Sequence, residues 1–133
     1  MAELSALELL LGATPVSEIT EQVTIKRLGT EFKIKALTGD DIAKVREQAT
    51  YPEGSGANRK LIVKEDEVGP LLIAKATVDP NFGDASLLKA YNATDAANCI
   101  QKALLAGEVA LLQKSILELA GFGNVAEINE VKN

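Results

Sequence analysis

The segment TVDPNFGDASLLKAY, residues 77–91, contains the side chains of this 133-residue chain that most resemble a binding site. Asp79, Asn81 and Asp84 alternate around a proline and a glycine, as oxygen ligands do in a calcium loop. An EF-hand loop also needs a ligand at its fifth position and a bidentate glutamate at its twelfth. Counted from Asp79, those positions hold a glycine and an alanine. We therefore predict a helix stop at Asp79, a turn, and a new helix capped by Asp84 or Ser86.

The remaining reactive side chains form no catalytic or metal-binding pattern. The chain has no histidine, so it lacks the commonest general base and the commonest transition-metal ligand. Asp40 and Asp41 follow Thr38 at a predicted helix start, where the helix dipole favours carboxylates. Cys99 lies in an amphipathic helical pattern with no histidine to activate it, so we interpret it as a buried apolar residue. We predict no catalytic residue, no metal site and no cofactor.

Composition and charge favour one globular domain that binds other proteins. Apolar residues make up 47% of the chain and charged residues 25%, which are ordinary globular values. The net charge of −5 opposes non-specific attraction to nucleic acid or to anionic membranes. Neither a signal peptide nor a membrane span is expected, because the N-terminal apolar run is short and lacks a basic flank. A lone cysteine suits a reducing cytoplasm.

An alternating pattern in QVTIKRLGTEFKIKAL, residues 22–37, predicts a β-hairpin. With Gly29 and Thr30 as the loop, Ile25 lies opposite Ile34. Apolar residues then share one face of the hairpin, which supports this register. The face predicted to be buried contains Val23, Ile25, Ile34 and Ala36.

The other face of the predicted hairpin carries Lys26, Lys33 and Lys35, with Lys26 opposite Lys33. A like-charged cross-strand pair is unfavourable, so these lysines are candidate protein-interaction residues beneath an acidic neighbour or partner. The alternative is a solvated lysine face that protects the sheet from aggregation. DNA binding by this ribbon is a third hypothesis, which the negative net charge and the lack of interleaved aromatic residues disfavour.

The N-terminal residues predict a short helix that ends at Gly12 and has an apolar face. Leu7, Leu10 and Leu11 on this helix are our further candidate interaction residues, since they form an apolar surface that could dock on a neighbouring subunit. Packing within its own domain is an equal alternative for this helix.

The remaining pattern is mainly helical. Residues 67–78 are apolar almost all round a helix, which predicts a central core helix with Pro70 in its first turn. YPEGSGANRK is a surface loop by composition, and Leu105, Val109, Leu112, Ile116 and Leu119 form a helix-packing seam. We predict an α+β fold, mainly α, with a β-hairpin or small antiparallel sheet packed on a bundle of about five helices. The single domain, 1–133, comprises an N-terminal helix and linker (1–21), the hairpin (22–37), a helical part (38–122) and a flexible tail (123–133).

The segments FKIKALTGDD, ATVDPNFGD and LLKAYNATDAANCIQKALLAGEVALLQKSILELAGF occur in an order that resembles the XkdN-like tail assembly chaperones of long-tailed bacteriophages. The resemblance covers roughly Val23 to Phe122. Ala106 stands where the family often has proline, which predicts a less sharply broken junction between the last two helices. The family motifs fall on Ala36–Thr38, Thr77–Asn81, Gly107–Glu108 and Gly121–Phe122.

The resemblance implies a non-catalytic phage or prophage protein that binds the tape measure protein during tail assembly. It also implies a homo-oligomer in the host cytoplasm that is absent from the mature virion, with the major tail protein as a further candidate partner. A structural virion protein, such as a tail tube or head-tail connector subunit, is the main alternative. A small nucleic-acid-binding regulator is the next, and an enzyme is the least favoured class.

Overall fold

The computed structural model describes residues 4–122, in which an antiparallel sheet packs against α-helices. The strands are β1 (Thr20–Ile25), β2 (Thr30–Lys35), β3 (Thr50–Glu53), β4 (Lys60–Val63) and β5 (Thr77–Asp79). The helices are α1 (Ala6–Leu11), α2 (Gly39–Gln48), α3 (Glu65–Ala76), α4 (Ala85–Ala90), α5 (Ala96–Ala103) and α6 (Ala106–Leu119). The predicted class, α+β and mainly α with a small antiparallel sheet, is confirmed. The predicted tail, 123–133, lies outside the described residues.

The β1–β2 hairpin forms as predicted, but its predicted register is wrong. Ile25 lies opposite Thr30 and not opposite Ile34, a shift of four residues (34 − 30) along β2. The connection is a 3-10 turn, Lys26–Leu28, closed by Gly29 in the left-handed conformation at φ 65°. Because a shift by an even number leaves each side chain on its face, the predicted core face survives. Its buried members are Val23, Ile25, Phe32 and Ile34.

A third strand replaces the predicted end of the core helix. α3 begins at Glu65 and stops at Ala76, so Pro70 lies within the helix and not in its first turn. The next residues, Thr77–Asp79, form β5, which pairs antiparallel with β2. The sheet order is therefore β1-β2-β5. The prediction of helix to residue 78 was wrong because a short apolar run does not distinguish a helix end from a buried strand.

The predicted YPEGSGANRK loop is in fact a second small hairpin. β3 pairs antiparallel with β4, with Tyr51 opposite Ile62. Its turn uses Gly54 at φ 85° and Gly56 at φ 58°, a region that residues with a side chain rarely adopt. A Cβ on Gly54 would lie 2.6 Å from the Asn58 carbonyl oxygen, so the turn requires glycine there. The prediction failed because the glycine-rich composition of the turn masked the short strands on either side.

The core lies where α3 packs on α5, α6 and α2, beneath the inner face of the β1–β2 hairpin. Ile73 of α3 is fully buried, which confirms the prediction of a central core helix. Cys99 is likewise fully buried, as its helical pattern predicted. The predicted seam of α6 is present from Val109 to Leu119, with Leu112 and Ile116 fully buried, but its predicted first member, Leu105, precedes the helix and is exposed. None of the helices in residues 4–122 is long and apolar enough to cross a membrane.

Local hydrogen bonds define where the helices begin and end. Thr38 and Asp41 form a reciprocal capping box: the Thr38 N–H donates to Asp41 Oδ2 at 2.9 Å, and the Asp41 N–H donates to Thr38 Oγ1 at 3.2 Å. At the other end of the fold, Gly121 adopts φ 99° beyond α6. The Phe122 N–H donates to the Leu117 carbonyl at 3.0 Å, which completes a Schellman motif.

The α5–α6 junction breaks sharply, contrary to the expectation based on Ala106. Leu104 and Leu105 both have extended backbone conformations, and Ala106 is the first residue of α6. The Leu105 N–H donates to Glu108 Oε1 at 2.8 Å, so a glutamate three residues on satisfies the free N–H at this helix start. The break therefore does not depend on proline.

Candidate interaction surface

Asn81 and Asp84 in the turn use their side-chain oxygen atoms for hydrogen bonds within the chain. Asn81 Oδ1 accepts a hydrogen bond from the Gly83 N–H at 3.0 Å, and Asp84 Oδ1 accepts one from the Ser86 N–H at 2.9 Å. The Ser86 hydroxyl also donates to Asp84, and these bonds hold the pKa of Asp84 below its usual value. Asp84 therefore caps α4, as predicted. Within residues 4–122 no group of acidic, histidine or cysteine side chains is arranged to hold a metal ion.

Phe82, in the middle of this turn, was not among the predicted functional or core residues. Its ring is buried and meets Phe32 of β2 edge to face, with ring centroids 5.8 Å apart. This contact packs the connection between α3 and α4 against the sheet.

The other side chains that could do chemistry, Asp40, Asp41 and Cys99, have structural roles. Hydrogen bonding from the Thr38 backbone lowers the pKa of Asp41, and Asp40 forms an ion pair with Lys44 at 3.1 Å. Burial raises the pKa of the Cys99 thiol, which keeps it protonated and unreactive.

A groove of about 520 Å³ lies beside α3 and α5. Its wall includes Tyr51, whose hydroxyl donates to Glu67 Oε1 at 2.8 Å, and this contact raises the pKa of the tyrosine. Asp95 also lines the groove, but it caps α5, since its Oδ1 accepts a hydrogen bond from the Asn98 N–H at 2.8 Å; the rest of the wall is mainly amide and small apolar side chains. We assign no chemistry to it.

The predicted leucine surface on α1 is exposed. Leu7, Leu10 and Leu11 have 66%, 76% and 77% of their surface accessible, and α1 has no buried residue. Among residues 4–122, no other segment buries this helix. Ser5 caps it: the Glu8 N–H donates to Ser5 Oγ at 3.1 Å. An isolated helix of this length is marginal in water, so a partner on the leucine face would stabilise it.

The three predicted lysines do not form the like-charged pair expected from the sequence. Lys26 lies in the turn, whereas Lys33 lies between Gln22 of β1 and Asp79 of β5. Lys35 is half-buried near Asp41, and its charge contributes to the low pKa of that carboxyl group. Lys33 and Lys35 therefore each have an acidic neighbour within the chain, Asp79 and Asp41 respectively. The three lysines therefore do not form one continuous basic surface, which the hypothesis of DNA binding by this hairpin requires.

Sequence reasoning missed an ion pair that joins the hairpin turn to the start of α6. Arg27 Nη2 donates to Glu108 Oε1 at 2.8 Å, Nε donates to Oε2 at 2.9 Å, and Nη2 also donates to the Ala103 carbonyl at 3.1 Å. The Glu108 side chain is only 13% exposed. Arg27 lowers the pKa of Glu108, while Glu108 raises that of Arg27. The glutamate's position at the third residue of α6 is a sequence signal for its bond to the Leu105 N–H, but not for its pairing with Arg27.

An exposed apolar surface surrounds this ion pair. We call it the turn-end patch and define it as Leu28, Tyr91 and Leu105 around Arg27 and Glu108. The three apolar side chains are 48%, 42% and 58% exposed. Tyr91 precedes Asn92, whose carbonyl accepts a hydrogen bond from Lys102 Nζ at 2.7 Å, and the residue after Lys102, Ala103, accepts one from Arg27 through its carbonyl. Leu28 follows Arg27 in the turn, and the Leu105 N–H bonds to Glu108. The patch thus combines side chains from three separate parts of the chain.

The fold and these two surfaces define a small α+β domain with an unpartnered leucine helix and an exposed apolar patch. The model of the family described as phage XkdN-like tail assembly chaperone proteins matches residues 7–132. The chain therefore belongs to this family of phage tail assembly chaperones. The match is longer than the resemblance noted in the sequence and includes α1 and the β3–β4 hairpin.

One solved structure is similar in fold. The crystal structure of the protein yqbn superposes with a TM-score of 0.62 and 19% sequence identity, over 90% of this chain and 99% of that chain. At this identity the likeness shows the fold alone. No curated protein matches the chain.

Proposed function

We propose that this chain is a non-catalytic tail assembly chaperone that binds the tape measure protein while the tail is being built, in the cytoplasm of the bacterial host. The observation that supports the proposal best is family membership over residues 7–132, which gives the general role. The major tail protein is a second candidate partner. The chaperone then leaves, so it is absent from the finished particle.

The structural support for a binding role comes from α1. Helix α1 has no buried residue, and Leu7, Leu10 and Leu11 are among the most exposed apolar side chains of the described residues. Exposed apolar surface of this kind marks protein-interaction sites. We assign this face to contact between copies of the chain, so that several copies present a shared surface to the tape measure protein.

Co-expression with the tape measure protein tests the partner. The tagged chain is produced together with a helical segment of the tape measure protein of the same phage or prophage, and the tape measure segment is also produced alone. We expect the segment to become soluble with the chain and to co-purify with it. A segment that is equally insoluble in both cultures, with the chain eluting alone, would contradict the proposal.

Self-association through α1 is tested separately by light scattering. Leu7→Asp with Leu10→Asp should reduce the protein to a monomer while the far-UV circular dichroism stays unchanged, since neither side chain is buried. Leu61→Asp is the matched control, because Leu61 is an equally exposed leucine on β4. An unchanged mass for the α1 variant would count against this role of the helix.

A structural virion protein is the alternative function, and the two differ in where the chain is found at the end of assembly. A tail tube or connector subunit stays in the particle in fixed copy number. A chaperone does not.

A further inference from the structure

The leucine face of α1 needs a complementary surface, and the charge of the N-terminal segment indicates its nature. Residues 4–25 contain Glu8, Glu18 and Glu21 but no lysine or arginine, the first of which is Lys26. α1 and its linker therefore present apolar side chains together with negative charge only. A matching surface would be apolar and positively charged at its rim.

The turn-end patch has this character. Its apolar centre is flanked by Lys26 at the hairpin turn and by Lys102, whose Nζ donates to the Asn92 carbonyl beside Tyr91 at 2.7 Å. The carboxylate within the patch, Glu108, is already paired with Arg27. The other carboxylate near the hairpin turn, that of Glu31, lies opposite Thr24 on the outer face of the hairpin. An apolar centre with aromatic and arginine side chains is the usual composition of a binding hot spot.

In the structure, α1 does not cover the patch of its own chain: the leucines of α1 are exposed, and so are Leu28, Tyr91 and Leu105. Ile19 is fixed at the far end of the hairpin, where the Ala36 N–H donates to its carbonyl at 2.8 Å. The patch lies at the other end of β1, which has six residues and is about 20 Å long. Only residues 12–15 lie between α1 and the 3-10 turn Val16–Glu18, and they span at most about 14 Å. The linker thus starts from the far end of the hairpin, and within residues 4–122 both surfaces are left exposed, where another molecule can contact them.

We propose that α1 of one copy docks on the turn-end patch of a second copy. The contact is head to tail, because each chain gives its helix to one neighbour and its patch to another. This assignment rests on the proposed self-association through α1 and names the surface that receives the helix. It differs from a symmetric contact in which two α1 helices pair with each other.

Two variants separate the two halves of the contact. The helix variant carries Leu7→Asp and Leu10→Asp, and the patch variant carries Leu28→Asp and Leu105→Asp. Leu105 is the N-cap residue of α6, where aspartate is a preferred residue, so this change should preserve folding. A third variant carries Leu105→Asp alone, so that the patch is also tested without a change in the hairpin turn. Circular dichroism checks that all three variants are folded.

Light scattering on the separate and mixed proteins gives the test. Each variant alone should lose self-association by about 30-fold or more. Mixed in equal amounts, the two monomeric variants should form a dimer of twice the mass of one chain and nothing larger. In this dimer, the intact patch of the helix variant binds the intact helix of the patch variant. The helix and the patch that remain are both mutated, so no third chain can be added.

Three results would overturn the assignment. A patch variant that assembles like the unmodified protein would show that α1 docks elsewhere, although self-association through α1 would stand. A mixture that remains monomeric would show that the two surfaces do not meet. A monomeric unmodified protein would remove the contact altogether, while binding to the tape measure protein would still be decided by co-purification.

Discussion

Proline at position 106 should stabilise the protein. Ala106 is the first residue of α6, and the N–H at that position of a helix has no intrahelical partner, so proline removes no hydrogen bond. The preceding residue, Leu105, has ψ 152°, the extended conformation that a following proline requires. Ala106 is also exposed, so the ring meets no core atoms. The substitution is therefore compatible with the native backbone at each point where proline is usually harmful.

The expected gain comes from the unfolded chain, which loses conformational freedom. Ala106→Pro should raise the free energy of unfolding by about 0.4–1 kcal/mol. Ala110→Pro is the matched control: Ala110 is exposed as well, but it lies inside α6, where proline costs about 3 kcal/mol. Urea unfolding followed by circular dichroism measures both changes. If Ala106→Pro destabilises the protein by as much as Ala110→Pro does, the helix does not begin where we place it.

Two further predictions concern single side chains. Thr77 Oγ1 is buried without a hydrogen-bond partner among the described residues, so Thr77→Val should stabilise by about 1 kcal/mol, while Thr24→Val on the exposed face should change little. A lower stability for Thr77→Val would reveal a partner for the hydroxyl. The pKa of Glu108 is lowered in the folded state, so its contribution to stability is present above its ordinary pKa of 4.5 and is lost as pH falls through the lower, folded value. The free energy of unfolding of Glu108→Gln, measured by chemical denaturation, should therefore fall less between neutral and acidic pH than that of the unmodified protein. An equal fall in both proteins would show that the pair with Arg27 contributes nothing.

The sequence predicts features governed by local hydrogen bonds and by periodicity. Thr38 and Asp41 form a cap at the predicted helix start, and Asp84 caps α4 as predicted. The leucine face of α1 is exposed, while its role in an interaction stays a prediction. Each of these features depends on residues within one or two turns of each other.

Features that depend on distant contacts were not predicted. Several registers of the β1–β2 hairpin bury the same face, and the observed one places Arg27 beside Glu108, far along the chain. β5 forms because Thr77 and its neighbours pair with β2, whereas their apolar pattern is equally compatible with a helix. The turn-end patch is assembled from three separate segments, so no single stretch of sequence contains its signal.

Quantitative mass spectrometry of phage assembly tests the central claim most directly. Lysate from cells producing the phage is separated by size, and the amount of this chain relative to the tape measure protein is measured in each fraction. We expect a high ratio in early complexes that contain the tape measure protein without a finished tail, and a ratio near zero in complete particles. A constant ratio through to the finished particle would contradict a chaperone role and identify a structural subunit.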